Sequence, residues 1–283
     1  MIRRQVDHEW WLFAQHDHAA LAGDFAAQLG GQVRPLEREV LAATRNHDVG
    51  WIEPDAATSI NSQGQPVDVF ETPIESALTT WRQSSLLGHQ ALGDYGGLLV
   101  SCHSLALSAH AAKGAFASKP GRAADLPLHF RVNKFQHAEI ELQEQIRRRL
   151  GMRLDAPLTC GLALESIEPR EQQLVYDYRW LAAMDQLSLD VLCSSVVFPV
   201  LAQVTTAPGL SPQQYHVTRL DLHRACVRPW PFVGEAVTAR IPFRRLPATP
   251  FQSDEALRGA LRNAAVEQLA VELIPTSPLA ASA

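Results

Sequence analysis

Four separated stretches of this 283-residue chain have the apolar periodicity of a helix, and each sets an ionisable side chain on the apolar face itself. In HDHAALAGDFAAQLGG the stripe is His18, Leu21, Ala22, Phe25, Leu29, with Asp17 as the expected N-cap and Gly30-Gly31 as the stop. Pro35 opens the next, whose stripe Leu36, Val40, Ala43, Thr44 runs on into His47 and Asp48, with Gly50 as terminator. A third stripe is Leu99, His103, Ala106, Leu107, His110. The fourth, on a helix expected from Gln172 to Val204 with a kink at Pro199, is Leu174, Tyr178, Leu181, Asp185, Leu189, Leu192, Val196. An unpaired buried carboxylate costs several kcal/mol against a net stability of about 5–15 kcal/mol, so Asp48 and Asp185 need cations. No stripe carries a lysine or arginine at a matching position. A divalent metal ion that draws imidazole nitrogen and carboxylate oxygen from several helices compensates all of them at one point.

Blander readings exist for each residue alone. A single histidine on an apolar face is commonly a core residue bonded to a carbonyl, and Asp185 could instead cap a helix that begins at Gln186. His16 points away from the first stripe and reads as a surface residue. His110 is about 10 Å beyond His103 along a helix axis, too far for the same ion but suited to substrate. His137 lies on a charged helix, VNKFQHAEIELQEQIRRRLG, expected to be solvated and ended by Gly151. Trp51 and Trp81 suit core packing or a pocket wall. In Ser101-Cys102-His103 neighbouring side chains diverge, so no nucleophile pair forms.

The rest of the chain bounds the fold and the partners. Residues 1–13 suit a short hairpin, with the turn at Asp7, His8 and Glu9. Near the C-terminus Val237, Ala239, Ile241, Phe243 alternate with Thr238, Arg240 and Pro242, and Leu269, Val271, Leu273 with Ala270 and Glu272, as half-buried strands do. The expectation is a mainly α helical bundle with a small β-rich N-terminal and C-terminal element, α+β overall. It divides into residues 1–204 and a mostly β extension over 205–283. The segment 53–73 and the stretch around Lys119-Pro120-Gly121 read as loops. With 46% hydrophobic and 19% charged residues, wholesale disorder is not expected. A formal net charge of -5 offers no general attraction to nucleic acid or an anionic membrane. MIRRQVDHEWWLF lacks a secretory apolar core, and Cys102, Cys160, Cys193 and Cys226 form no CxxC pair, which points to a cytoplasmic protein with free thiols. The expected partner is a small-molecule substrate, and a homodimer stays open.

A histidine on one helix, an adjacent His-Asp pair on the next and an aspartate on a late helix resemble the H…HD…D pattern of HD-domain metal-dependent phosphohydrolases. Along the whole chain, QHDHAALAG, NHDVGW, LLVSCHSLAL, MDQLSLDVLC and RPWPF are similar to the bacterial family DUF3891. The resemblance implies an HD-domain-like bundle holding one or two divalent ions, with Fe, Mn, Zn and Mg all admitted. The implied ligands are His18, His47, Asp48 and Asp185, with His103 as a further or second-metal ligand. It implies a metal-dependent hydrolase of a phosphoester or related small molecule, in which Asp48 can bridge two ions and His103 and His110 serve the catalytic centre. A di-iron oxygenase and a non-catalytic binding module are the alternatives. Two departures from the pattern stand out: there is no GYP signature, and HDVGW sets Trp51 where a lysine often stands. They weigh against a nucleotide or cyclic-dinucleotide substrate.

Overall fold

The computed structural model describes residues 1–117, 126–152 and 168–276; the expected loop around Lys119-Pro120-Gly121 and Cys160 lie outside the described residues. The chain opens with the expected hairpin, β1 (Ile2–Val6) and β2 (Glu9–Phe13), turned at Asp7, whose φ of 51° is left-handed. Helices α1 (Gln15–Ala26) and α2 (Arg38–Asn46) follow, then a one-turn α3 (Ile52–Ala56). Next come α4 (Ile74–Ala117), α5 (Leu126–Arg149) and α6 (Pro169–Leu192). The remainder is β3 (Val200–Val204), β4 (Gln213–Arg219), β5 (Arg224–Arg228), β6 (Val237–Pro247), α7 (Asp254–Asn263) and β7 (Val266–Pro275).

The expected mainly α, HD-domain-like bundle does not form. All seven named strands join one mixed sheet in the order β1-β2-β6-β7-β5-β4-β3, and the fold is α+β. Neighbours are antiparallel except β5 and β7. Alternation along β2 shows how the sheet is covered. Trp11 and Phe13 enter the main core with Phe243 of β6 and Leu21, Phe25 and Trp180 of the helices. Trp10 and Leu12 point the other way, into a smaller cluster with Leu246 of β6 and Leu257 of α7. Strands from both sides of residue 204 thus share one sheet.

The helix expected to reach Val204 stops at Leu192. Its last carbonyls would be orphaned at a buried end; the Arg4 guanidinium donates to that of Val191 at 3.2 Å, and Arg219 donates to that of Asp190. Asp190 Oδ1 accepts from the backbone N–H groups of Val197 and Phe198, each at 2.7 Å, and so shapes the turn into β3. The apolar run LSLDVLCSSVVFPVLAQV therefore serves a helix end, a turn and a strand, which periodicity does not separate.

Two helical patterns either side of Gly93 become the two halves of α4. Gly93, at φ 74° and ψ -163°, reverses the chain, and the halves pack back to back, with Ser85 Oγ donating to Ser104 Oγ at 3.0 Å. On α5 the charged face is not fully solvated. Glu139 is wholly buried and accepts from Arg82 Nη1 at 2.8 Å and Ser101 Oγ at 2.6 Å, while Arg147 pairs with Glu171. Cys102, Cys193 and Cys226 are buried. Among the described residues no helix is long and apolar enough to cross a membrane.

Candidate metal centre

His18 sits in the first turns of α1, whose start is anchored by Gln15 N–H donating to Asp55 Oδ2 at 2.6 Å. His47 ends α2 in helical conformation, and Asp48 then leaves it at φ -110° and ψ 25° before a 3-10 turn over Val49–Trp51. That change of direction between neighbours lets both side chains reach one point, where a continuing helix would splay them by about 100°. Gly50 holds the turn against α4. Its N–H donates to Ser84 Oγ at 3.0 Å, and a Cβ there would stand 2.5 Å from the Thr80 carbonyl oxygen. Expected as a helix stop, Gly50 is needed for close approach. His103 comes from the second half of α4, and Asp185 lies inside α6 rather than capping it.

All five side chains are buried, and they meet as two triads, His18–His47–Asp48 and His47–His103–Asp185, each with donor atoms within 4.8 Å of one another. His18 Nε2 is 2.9 Å from Asp48 Oδ2 and 3.8 Å from Asp185 Oδ1. His47 Nε2 is 3.3 Å from Asp185 Oδ1 and 3.7 Å from Asp48 Oδ2, and His103 Nε2 is 3.8 Å from Asp185 Oδ2. Two imidazoles are held from behind. His47 Nδ1–H donates to the Thr44 carbonyl at 2.7 Å. Ser188 Oγ spends its proton on the Asp185 carbonyl at 2.8 Å, so at 2.9 Å it accepts from His18 Nδ1–H. Both Nε2 atoms are thereby turned toward the carboxylates. Among the described residues His47 Nε2, Asp48 Oδ1 and His103 Nδ1 have no hydrogen-bond partner despite being buried.

The charges are strongly coupled. Burial alone would lower the His47 imidazole, but the Asp48 charge and then Asp185 outweigh it and raise it to about 9. Burial would raise both carboxylates; His47 chiefly, with His18 and, for Asp185, His103, instead holds them below the usual range. Burial pushes His103 down to about 4. A proton on His47 offsets one carboxylate, whereas a divalent ion would offset both. Orphaned nitrogens and oxygens, donor separations near those around a single ion and imidazoles buttressed at the far nitrogen are what such an ion needs, so the residues fit one.

The other expected site residues lie elsewhere. His110 is exposed on α4, outside the cluster. His16 is partly exposed beside Asp17, and His137 is exposed on α5. Trp51 is buried next to the cluster in sequence, while Trp81 packs with Leu78 and Phe135. Sequence reasoning missed Ser188 and the Thr44 carbonyl. Ser188 could have been found as the hydroxyl one turn beyond Asp185. A separate cleft of about 480 Å³, lined in part by Arg34, Tyr95, Gln173 and Asp177, opens at the other end of α6. Asp177 is eight residues before Asp185, about 12 Å along the helix, so the cleft and the cluster are distinct.

Neither the curated proteins nor the solved structures contain a match to this chain. A family model described as "Protein of unknown function (DUF3891)" matches residues 1–248, and the chain belongs to that family.

Proposed function

We propose that the cluster is a metal-dependent hydrolytic centre with an HD-type ligand set, acting on a small phosphoester or a related molecule. The observation that carries this is the convergence of His18, His47, Asp48, His103 and Asp185 in a buried cluster with unsatisfied donor atoms. Within the α+β fold, α1, the end of α2 and α6 supply an H…HD…D order, with His103 of α4 added between the last two, and that order supports the HD-type reading. A divalent ion held by these residues supplies Lewis acidity toward a phosphoryl oxygen and a water that ionises near neutral pH. The chain's own residues do the rest. Thr44 and Ser188 fix the imidazoles with Nε2 inward, and the unpartnered Asp48 Oδ1 is an acceptor at which a proton can be held.

The test is turnover of a phosphoester panel with Mn²⁺, Fe²⁺, Mg²⁺ or Zn²⁺. Activity should require metal and be lost in Asp48→Ala; absence of turnover on every member with every ion removes the hydrolase reading. The third imidazole, His103, favours a second reading, iron-dependent oxygen chemistry. Oxygen uptake by the Fe²⁺-loaded protein, with no phosphoester turnover, would select it.

A further inference from the structure

We infer that the cleft at the other end of α6 binds a small organic cation, an ammonium or guanidinium group on an apolar body, with Asp177 as its counter-charge. Its volume of about 480 Å³ lies in the usual range for small-molecule pockets, about 300–1,000 Å³. The walls divide by chemistry. Val40, Leu150 and Met152 are apolar, and Asp177, Glu37 and Glu39 carry the negative charge. Tyr95 stands eight residues before His103 on α4, and Asp177 eight before Asp185 on α6. A ligand here therefore sits about 12 Å along both helices from the buried cluster and is held by other residues.

Asp177 decides the ligand. It is 1% exposed, and a buried carboxylate is normally paired with a cation. Its two hydrogen-bond partners are neutral: Tyr95 Oη donates to Oδ2, and Gln173 Nε2 donates to Oδ1 at 2.8 Å. Each oxygen keeps a further lone pair. Both guanidinium groups of the cleft are engaged elsewhere, Arg34 Nη1 with Gln173 Oε1 at 3.3 Å and Arg170 Nη1 with the Leu150 carbonyl at 3.2 Å. Burial pushes the Asp177 carboxyl up, and neither the two hydrogen bonds nor Arg34 outweighs it, while Glu37 adds to the rise. Glu37 and Glu39 are exposed and form no ion pair among the described residues. An anion would meet three carboxylates and two guanidinium groups already in use. A cation supplies the missing charge and donates to the spare lone pairs, while its apolar part covers Val40, Leu150 and Met152.

The chain has three methionines, Met1, Met152 and Met184; Met152 lines the cleft, and Met184 adjoins Asp185 in the metal cluster. Full-length protein carrying ¹³C-methyl methionine is titrated with benzylammonium and benzylguanidinium, beside benzyl alcohol and phenylacetate as neutral and anionic controls. The cations should move the Met152 signal, leave those of Met1 and Met184 in place, and bind about tenfold tighter than either control. Asp177→Asn should weaken the cations about tenfold and leave benzyl alcohol as it was. A Met152 signal that ignores both cations, a preference for phenylacetate, equal binding of cation and alcohol, or an Asp177→Asn protein that keeps its cation affinity overturns the inference. If Asp177→Asn does not fold, the wild-type titration alone decides by the first three outcomes.

Discussion

The donor set is anchored by single residues that are not themselves ligands. In Ser188→Ala the buried His18 Nδ1–H loses its acceptor, which costs about 1–3 kcal/mol. His18 Nε2 is then no longer aimed, and metal affinity should fall about 10- to 100-fold. Calorimetric titration with Mn²⁺ beside the Tm of the metal-free protein separates the two effects; unchanged affinity would dismiss Ser188 as a positioning residue. The pH dependence follows from the same residues. The metal-free His47 is raised from 6.5 to about 9, so its contribution to stability is complete below about pH 6.5 and is lost as pH climbs through 9. Asp48 and Asp185 sit below 3.8, so theirs is present above that pH and lost on acidification. His103, which burial holds down to about 4, costs stability as pH falls from 6.5 toward 4, so the metal-free protein should be most stable near pH 6.5. An ion takes the place of the His47 proton, so the alkaline decline in Tm should shrink when metal is added, and a Tm–pH series with and without chelator checks this. The candidate ligands were legible because a charge on an apolar stripe is anomalous in sequence. Ser188 and the Thr44 carbonyl were not, because what they do depends on which nitrogen of a distant imidazole they meet.

Helix ends and turns aim those residues, and two glycines separate clash from strain. A Cβ at Gly93 would meet nothing within 4 Å, but φ 74° is left-handed, so Gly93→Ala should cost roughly 1–2 kcal/mol through backbone strain alone. Gly50 has no such φ, yet a Cβ would press on the Thr80 carbonyl and the Ser84 backbone, so Gly50→Ala must push the His47-Asp48 turn off α4. Overpacking of this kind typically costs 1–3 kcal/mol, and here it should also weaken metal binding, which Gly93→Ala should leave intact. Chemical denaturation and metal titration of both variants test the contrast. Sequence pattern located both halves of α4, since periodicity and glycine mark them, but made α2 too long at both ends, which starts at Arg38 and not Pro35 and ends at Asn46 before Asp48. It carried α6 too far, because from Val191 to Val204 a buried helix and a buried strand are the same string of apolar residues. What ends the helix is Arg4 and Arg219, whose guanidinium groups come from strands remote in sequence.

At the scale of the whole molecule, the helices that carry the cluster rest on a sheet whose strands come from both ends of the chain. Phe13 of β2 stacks on Phe243 of β6 with ring centroids 5.5 Å apart, and β7, late in the chain, lies between β6 and β5 near the middle of the sheet. Alternation made β1, β2, β6 and β7 legible. In β4 only Tyr215 and Val217 are buried apolar residues, and β5 is five residues long, too little pattern to announce a strand. With those strands unseen, the β part looked like an appendage on a bundle. Its position predicts the outcome of cutting it away. A chain ending at residue 204 loses β4 to β7, takes Phe243 from beside Trp11 and Phe13, uncovers Trp10 and Leu12, and leaves the open edge of β2 without a partner. Such a chain should show no cooperative thermal transition and no stoichiometric metal binding, although all five candidate ligands remain. A truncated protein that melts cooperatively and still takes up its ion would show instead that the helical layer holds the site unaided.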